Sequence, residues 1–257
     1  MTAFADHMAY ALDPVALARA VRLEPDDWQR ELLRDMEHDY LVLTSRQSGK
    51  STMAAIKSVN LALFRPDSLT LLVSAGQRQS SELAKRCITY YGRLGRPVVA
   101  ESENATSLTL ENHSRIVSLP SLPSTVRGYS DVDLIVVDEA AQVPDEMLAA
   151  LRPMQAVSGA QLLCLSTPYG KRGFFYEEWT SGGDRWKRIK VTANQCARID
   201  PAWLELERQS RSSWYFNQEF MCEFCETSEQ IFSEETIARM FDNAVGVQPF
   251  DFRRHDG

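Results

Sequence analysis

The chain has 257 residues, 44% of them hydrophobic, with 35 acidic against 28 basic side chains and a formal net charge of −7. That length supports one large or two small domains with ample core, and so acidic a chain is not one that coats nucleic acid through bulk charge, which needs a basic surface. No apolar run is long enough to mark a membrane span, no basic segment followed by an apolar stretch opens the chain, and the five cysteines fit reduced thiols in a cytosolic setting.

Pro14 to Arg22 and Asp26 to Met36 read as short helices, the second with Asp26 and Asp27 at its positive end. Trp28 and Gln29 lie on it, and two readings stand side by side. They are a stacking face with an amide that reads an adenine edge, or a core tryptophan beside a surface glutamine. Leu41 to Thr44 is an apolar strand that runs into Ser45-Arg46-Gln47-Ser48-Gly49-Lys50-Ser51-Thr52. This is the phosphate-loop pattern G-x-x-x-x-G-K-[ST] with Thr44 in place of the first glycine. Backbone N–H groups opening a helix converge on phosphate oxygens; Gly49 lets the backbone come close, Lys50 reaches the β- and γ-phosphates, and Ser51 ligates Mg²⁺. Thr52 is a weaker candidate for phosphate contact. The pattern points to a nucleoside triphosphate.

Ser51 to Phe64 carries a helical pattern ended by Pro66-Asp67, followed by a strand at Leu69 to Ser74 and a helix at Ser80 to Leu94. Thr106 to Leu110 and Arg115 to Leu119 alternate around a turn and read as a hairpin, ahead of a Pro/Ser-rich loop from Pro120 to Gly128. Then Asp133-Leu134-Ile135-Val136-Val137-Asp138-Glu139-Ala140-Ala141 gives a strand buried on both faces that ends in two carboxylates, the Walker B pattern. Asp138 would hold Mg²⁺ and Glu139 would polarise the attacking water.

Asp145 to Met154 reads as a helix and Gln161 to Leu165 as a strand ending in Ser166-Thr167-Pro168. Strands alternating with helices predict an α/β fold with a mainly parallel sheet, ligands lying outside the carboxyl ends of its strands. Ser166 and Thr167 are candidates to sense the γ-phosphate, although hydroxyls at such junctions often bond to backbone. The aromatic segment Gly170 to Trp179 reads as a helix packed on the sheet. Lys171-Arg172 and Lys187-Arg188 with Lys190 are the clearest basic clusters, commonly the mark of a solvated face. Ala202 to Gln209 and Ser213 to Phe220 read as helices and Cys222 to Phe224 as a strand. Cys222 and Cys225 are structural in this reading, no second pair following at metal spacing. Ser233 to Phe241 is predicted helical, and Asn243 to Gly257 reads as linker.

Four features coincide: the loop Ser45 to Ser51, Arg127-Gly128 ahead of Asp138-Glu139-Ala140-Ala141, Ser166-Thr167-Pro168, and Gln218-Glu219-Phe220-Met221-Cys222-Glu223-Phe224. Together, over roughly residues 25 to 240, they resemble the large terminase subunit of tailed bacteriophages, in its N-terminal DNA-packaging ATPase domain. The resemblance implies a RecA-like P-loop NTPase sheet sandwiched by helices, with a small β-hairpin insertion and a helical C-terminal extension. It implies an ATPase domain over 1–240, with a helical lead-in at 1–38, a C-terminal subdomain at about 195–240, and a linker at 241–257. ATP would be the substrate and Mg²⁺ the cofactor. The partners would be double-stranded DNA, the portal protein, the small terminase subunit and further copies of the chain in a ring, in the host cytoplasm and docked transiently on the procapsid.

By the same resemblance Arg46 matches the phosphate-loop arginine, which would contact the γ-phosphate or respond to hydrolysis. Arg127 would be a finger inserted into a neighbour's site, with a surface salt bridge as the other reading of that residue, and Ser166-Thr167 would couple phosphate loss to movement. The family's C-terminal nuclease would begin near where this chain stops. The expectation is therefore an ATPase-domain fragment, or a protein whose nuclease is encoded elsewhere, without DNA cleavage. A helicase is the rival enzyme, but too few residues follow Pro168 for a second lobe. A nucleotide-binding scaffold without turnover is the rival outside enzymes, and Glu139 argues against it.

Overall fold

The computed structural model describes residues 2–226, so the predicted Ser233 to Phe241 helix and the linker beyond it lie outside the described residues. Among the described residues eight strands form one sheet: β1 (Asp39–Thr44), β2 (Leu69–Ser74), β3 (Ala100–Glu103), β4 (Ser107–Leu110), β5 (Arg115–Pro120), β6 (Leu134–Asp138), β7 (Gln161–Ser166) and β8 (Trp186–Val191). Their order is β3-β4-β5-β2-β6-β7-β1-β8. Pairing is parallel from β5 through to β8 and antiparallel only in β3-β4 and β4-β5.

Period-two side-chain alternation divides the core into two halves. On one face Tyr40, Val42, Leu134, Val136, Leu163 and Leu165 meet α2 (Pro14–Ala20), α3 (Asp27–Arg34), α4 (Lys50–Phe64) and α5 (Gln77–Arg93), with α1 (Thr2–Leu12) adding Tyr10. On the other, Leu41, Leu43, Ile135, Val137, Leu162 and Cys164 meet α6 (Pro123–Val126), α7 (Asp145–Ser158) and α8 (Gly173–Ser181). The central strands read as unbroken apolar runs because both faces are covered. A satellite cluster of Ala193, Leu204, Phe216 and Phe220 holds α9 (Pro201–Ser210) and α10 (Ser213–Glu219).

The predicted hairpin is β4-β5, but β5 also pairs with β2, so the hairpin widens the main sheet. Both edge strands, and the strand predicted at Cys222 to Phe224, depart from expectation. β3 and β8 are strands that the sequence did not announce, because AESE and WKRIKV carry charges in place of an apolar pattern, as edge strands commonly do. The Lys187-Arg188 cluster is therefore largely committed to structure: Lys187 Nζ is 2.5 Å from Asp35 Oδ2, and Arg188 donates to the carbonyls of Trp179, Gly183 and Glu178. Cys222 to Phe224 is not a strand. Cys222 has φ +56°, which interrupts extended backbone, and Phe224 packs instead on Phe175, Tyr176 and Trp179 of α8.

Candidate nucleotide site

The phosphate loop joins the carboxyl end of β1 to α4. Gly49 takes φ +89°, and a Cβ there would lie 3.0 Å from Gln29 Nε2, so both backbone shape and close approach call for glycine. The loop is tied down from several sides. Ser45 N–H donates to the Val191 carbonyl at 2.9 Å, and Ser48 Oγ donates to Thr44 Oγ1 at 2.7 Å. Thr44 thus uses its side chain where the usual loop has none. The Ser48 carbonyl accepts from Gln29 Nε2 at 2.9 Å and from Arg198 Nη2 at 2.8 Å, and Arg198 also clasps the Asp26 carboxylate.

Gln29 is only 2% exposed, which corrects the surface reading. Its Oε1 accepts from Asp26 N–H and its Nε2 holds Ser48, so both ends of the amide are engaged within the protein rather than free for a base edge. Trp28 packs partly buried against the core and also borders a cavity of about 520 Å³ shared with Lys190 and Gln195.

The strand register brings Thr44, Asp138 and Ser166 to adjacent strand ends. Ser51 Oγ donates to Asp138 Oδ2 at 2.8 Å, and Lys50 Nζ lies 3.0 Å from Glu139 Oε1. Burial pushes the Asp138 carboxyl above the ordinary range, the Lys50 ammonium pulls it down, and Glu139 raises it again. Glu139 adopts φ +53°, ψ +46°, a left-handed turn uncommon outside glycine, and a 3₁₀ turn over Ala140–Gln142 follows. Its Oε2 is buried without a hydrogen-bond partner among the described residues. The Ser166 hydroxyl accepts from Ala141 N–H at 3.1 Å, so it holds the segment that follows Glu139. Thr167 borders a cavity of about 380 Å³ together with Arg46, Gln47, Lys50 and Glu139.

Not every predicted residue converges. Thr52 Oγ1 accepts from Arg86 Nη1 of α5 at 2.8 Å, which ties it to a neighbouring helix. The Arg46 guanidinium is hydrogen-bonded to the buried Glu219 carboxylate at the end of α10. Arg127 stands exposed at the end of α6, outside the cavities beside Glu139, and forms no ion pair among the described residues. Sequence reasoning missed Arg198 and the pairing of Glu219. The capping pair Asp26…Gln29 was the one local signal that something held α3 beside the loop.

Ser51 and Asp138 offer the hard oxygen donors that Mg²⁺ takes, already side by side at a helix N-terminus, and they fit that ion.

Residues 41–239 match the sequence profile of the terminase large subunit, T4likevirus-type, N-terminal. The chain belongs to the large terminase family. Among solved structures, this terminase is similar to the large terminase ATPase domain of Thermus phage P74-26, with TM-score 0.72 and 20% identity, covering 81% of this chain and 97% of that one. It is also similar to the large terminase of the thermophilic bacteriophage D6E in complex with ATP-γ-S (TM-score 0.57, 14% identity, 81% and 52% covered). The large terminase of bacteriophage HK97 gives TM-score 0.56 and 16% identity, with 84% and 46% covered. The terminase chain thus spans about half the length of the D6E and HK97 proteins. These likenesses concern the fold, and no curated protein matches the sequence.

Proposed function

We propose that this chain hydrolyses ATP to drive double-stranded viral DNA into a procapsid, as the ATPase domain, over about residues 1–240, of a packaging motor. The observation that carries the reading is the meeting of Lys50 with Glu139 at 3.0 Å and of Ser51 with Asp138 at 2.8 Å on one edge of the sheet. The family and the D6E complex with ATP-γ-S support a nucleotide there.

The two contacts define the chemistry. Lys50 leaves Glu139 for the β- and γ-oxygens of the arriving triphosphate, and the first turn of α4 adds its backbone N–H groups and dipole. The freed Glu139 turns its carboxylate to a water in line with the γ-phosphorus. Water oxygen bonds to that phosphorus as the bond to the bridging oxygen of ADP breaks, and the water proton passes to Glu139. Ser51 and Asp138 would hold Mg²⁺, which supplies charge neutralisation on the β- and γ-oxygens. Arg46 borders the same cavity as Lys50 and, once released by Glu219, adds a guanidinium to the γ-phosphate. Thr167 borders that cavity and Ser166 holds the backbone after Glu139, so loss of phosphate reaches β7 and the 3₁₀ turn together.

Double-stranded DNA, the portal, the small subunit and further copies of the chain are the proposed partners, with Arg127 entering a neighbour's site. The test is phosphate release and nucleotide binding by the parent chain and two variants. Lys50→Ala should lose ATP binding by 10-fold or more, while Glu139→Gln should keep binding and lose at least 100-fold in turnover. Unchanged phosphate release from Glu139→Gln would remove the water-activating role and favour a scaffold.

A further inference from the structure

We infer that Gln79 is a second catalytic residue, whose side-chain amide holds the attacking water opposite Glu139. The inference rests on the ATPase reading above and deepens it. Two cavities flank Glu139. One, of about 380 Å³, is bordered by Arg46, Lys50 and Thr167; the other, of about 390 Å³, by Ser51, Asp138 and Arg86. Glu139 and Gln79 are the two residues that border both.

Backbone geometry explains why a residue so far along the chain reaches the site. β2 is the sheet neighbour of β6, with Ser74 opposite Asp138, so the connection from β2 into α5 emerges beside the Walker B carboxylates. Gln79 is the third residue of α5, and it borders both cavities beside the carboxylates. Arg86, two turns on, donates to Thr52 Oγ1 at 2.8 Å and fixes α5 against α4. The wall that carries Gln79 is therefore braced to the helix that carries Lys50 and Ser51.

The chemistry of the site calls for such a group. An attacking water has two O–H bonds to place and a lone pair to aim at phosphorus; Glu139 Oε1 or Oε2 accepts one O–H, which leaves the other without an acceptor. A carboxamide fills that place without adding a second negative charge next to the γ-phosphate. Gln79 Oε1 accepts the second O–H, and its Nε2 donates to a γ-oxygen as charge builds there. The side chain of Gln79 is exposed and forms no hydrogen bond among the described residues, and the buried Glu139 Oε2 likewise has no hydrogen-bond partner among them. Gln142 borders one cavity only, on the Lys50 side, and does not share the second. In the step itself, the water oxygen bonds to the γ-phosphorus as the bond to the bridging oxygen breaks, and Glu139 takes the proton while Gln79 keeps its own.

The test compares a ground-state and a transition-state ligand on the whole chain. Affinities for Mg²⁺ with ATP-γ-S, and for Mg²⁺ with ADP and tetrafluoroaluminate, are measured by titration calorimetry for the parent, Gln79→Ala and Glu139→Gln. Thermal unfolding of each protein reports its fold. Gln79→Ala should weaken the tetrafluoroaluminate complex by 10-fold or more while ATP-γ-S affinity stays within about twofold, and kcat should fall by a similar factor at unchanged KM. Equal loss for both ligands, or parent-like affinity for tetrafluoroaluminate, overturns the role of Gln79. Selective loss in Glu139→Gln alongside a parent-like Gln79→Ala would leave the ATPase reading standing and sink this one. A parent that binds neither ligand would overturn both.

Discussion

At position 49 two demands coincide, a left-handed backbone and a missing Cβ facing Gln29, and only glycine meets both. Gly49→Ala should cost about 1–2 kcal/mol for the left-handed turn alone, more as Gln29 is displaced, read as a lower urea midpoint together with weaker ATP binding. A variant as stable as the parent would show that the loop relaxes at no cost. The residues of the site fall into two groups in how plainly they could be read. That Lys50, Ser51, Asp138 and Glu139 would meet at one sheet edge was legible, because the phosphate-loop and Walker B patterns set those types at fixed offsets from a strand end. Arg198 and Gln79 were not legible, since each reaches the loop or borders the carboxylates through a tertiary approach that leaves no local pattern; Glu219 stands in a recognisable run, but nothing local announced its pairing with Arg46. Gln29 illustrates the limit: its type suggested recognition of a base, and its environment makes it a brace.

Among the elements, α3 and α4 are joined by a buried cation. Lys57 of α4 is about 1% exposed and donates to the carbonyls of Leu32 and Asp35, which close the end of α3. Burial lowers its ammonium to about 7, opposed by the nearby Asp35 carboxylate. Burial pushes the Asp35 carboxyl up as well, but hydrogen bonds from Lys187, the Glu37 backbone and His38 outweigh it and hold it below the usual range. Between about 7 and 10.5 the unfolded chain therefore binds a proton at Lys57 that the folded chain does not. Stability should rise with pH across that window, by up to about 1.4 kcal/mol per unit. Unfolding midpoints at pH 7 and pH 9.5 check this, and Lys57→Met should flatten the rise. Element type was legible wherever burial on two faces produced an unbroken apolar run, as in β1, β2, β6 and β7. It failed at the margins, where β3 and β8 carry charges, and at Cys222, where apolar alternation was overridden by one left-handed residue.

For the molecule as a whole, Arg127 poses the sharpest question, since it stands exposed and outside the cavities of its own site. If it serves a neighbour, an Arg127→Ala chain retains a sound site and lacks a finger, whereas a Glu139→Gln chain retains the finger and lacks a sound site. Each alone should be nearly inactive, since such fingers contribute about 10³ to 10⁵ in rate. Their mixture should recover activity at concentrations where copies associate. A mixture no more active than its parts would place Arg127 outside any shared site.

The Ser48 carbonyl, grasped at once by Gln29 and Arg198, gives this architecture a further consequence. One hand comes from ahead of the first strand and the other from beyond the last, so the turn works like a keystone on which both halves of the arch lean. Transplanting the strand, turn and helix into another scaffold would carry over the letters without the grip. Pulling on either flank would reach the turn without passing through the sheet.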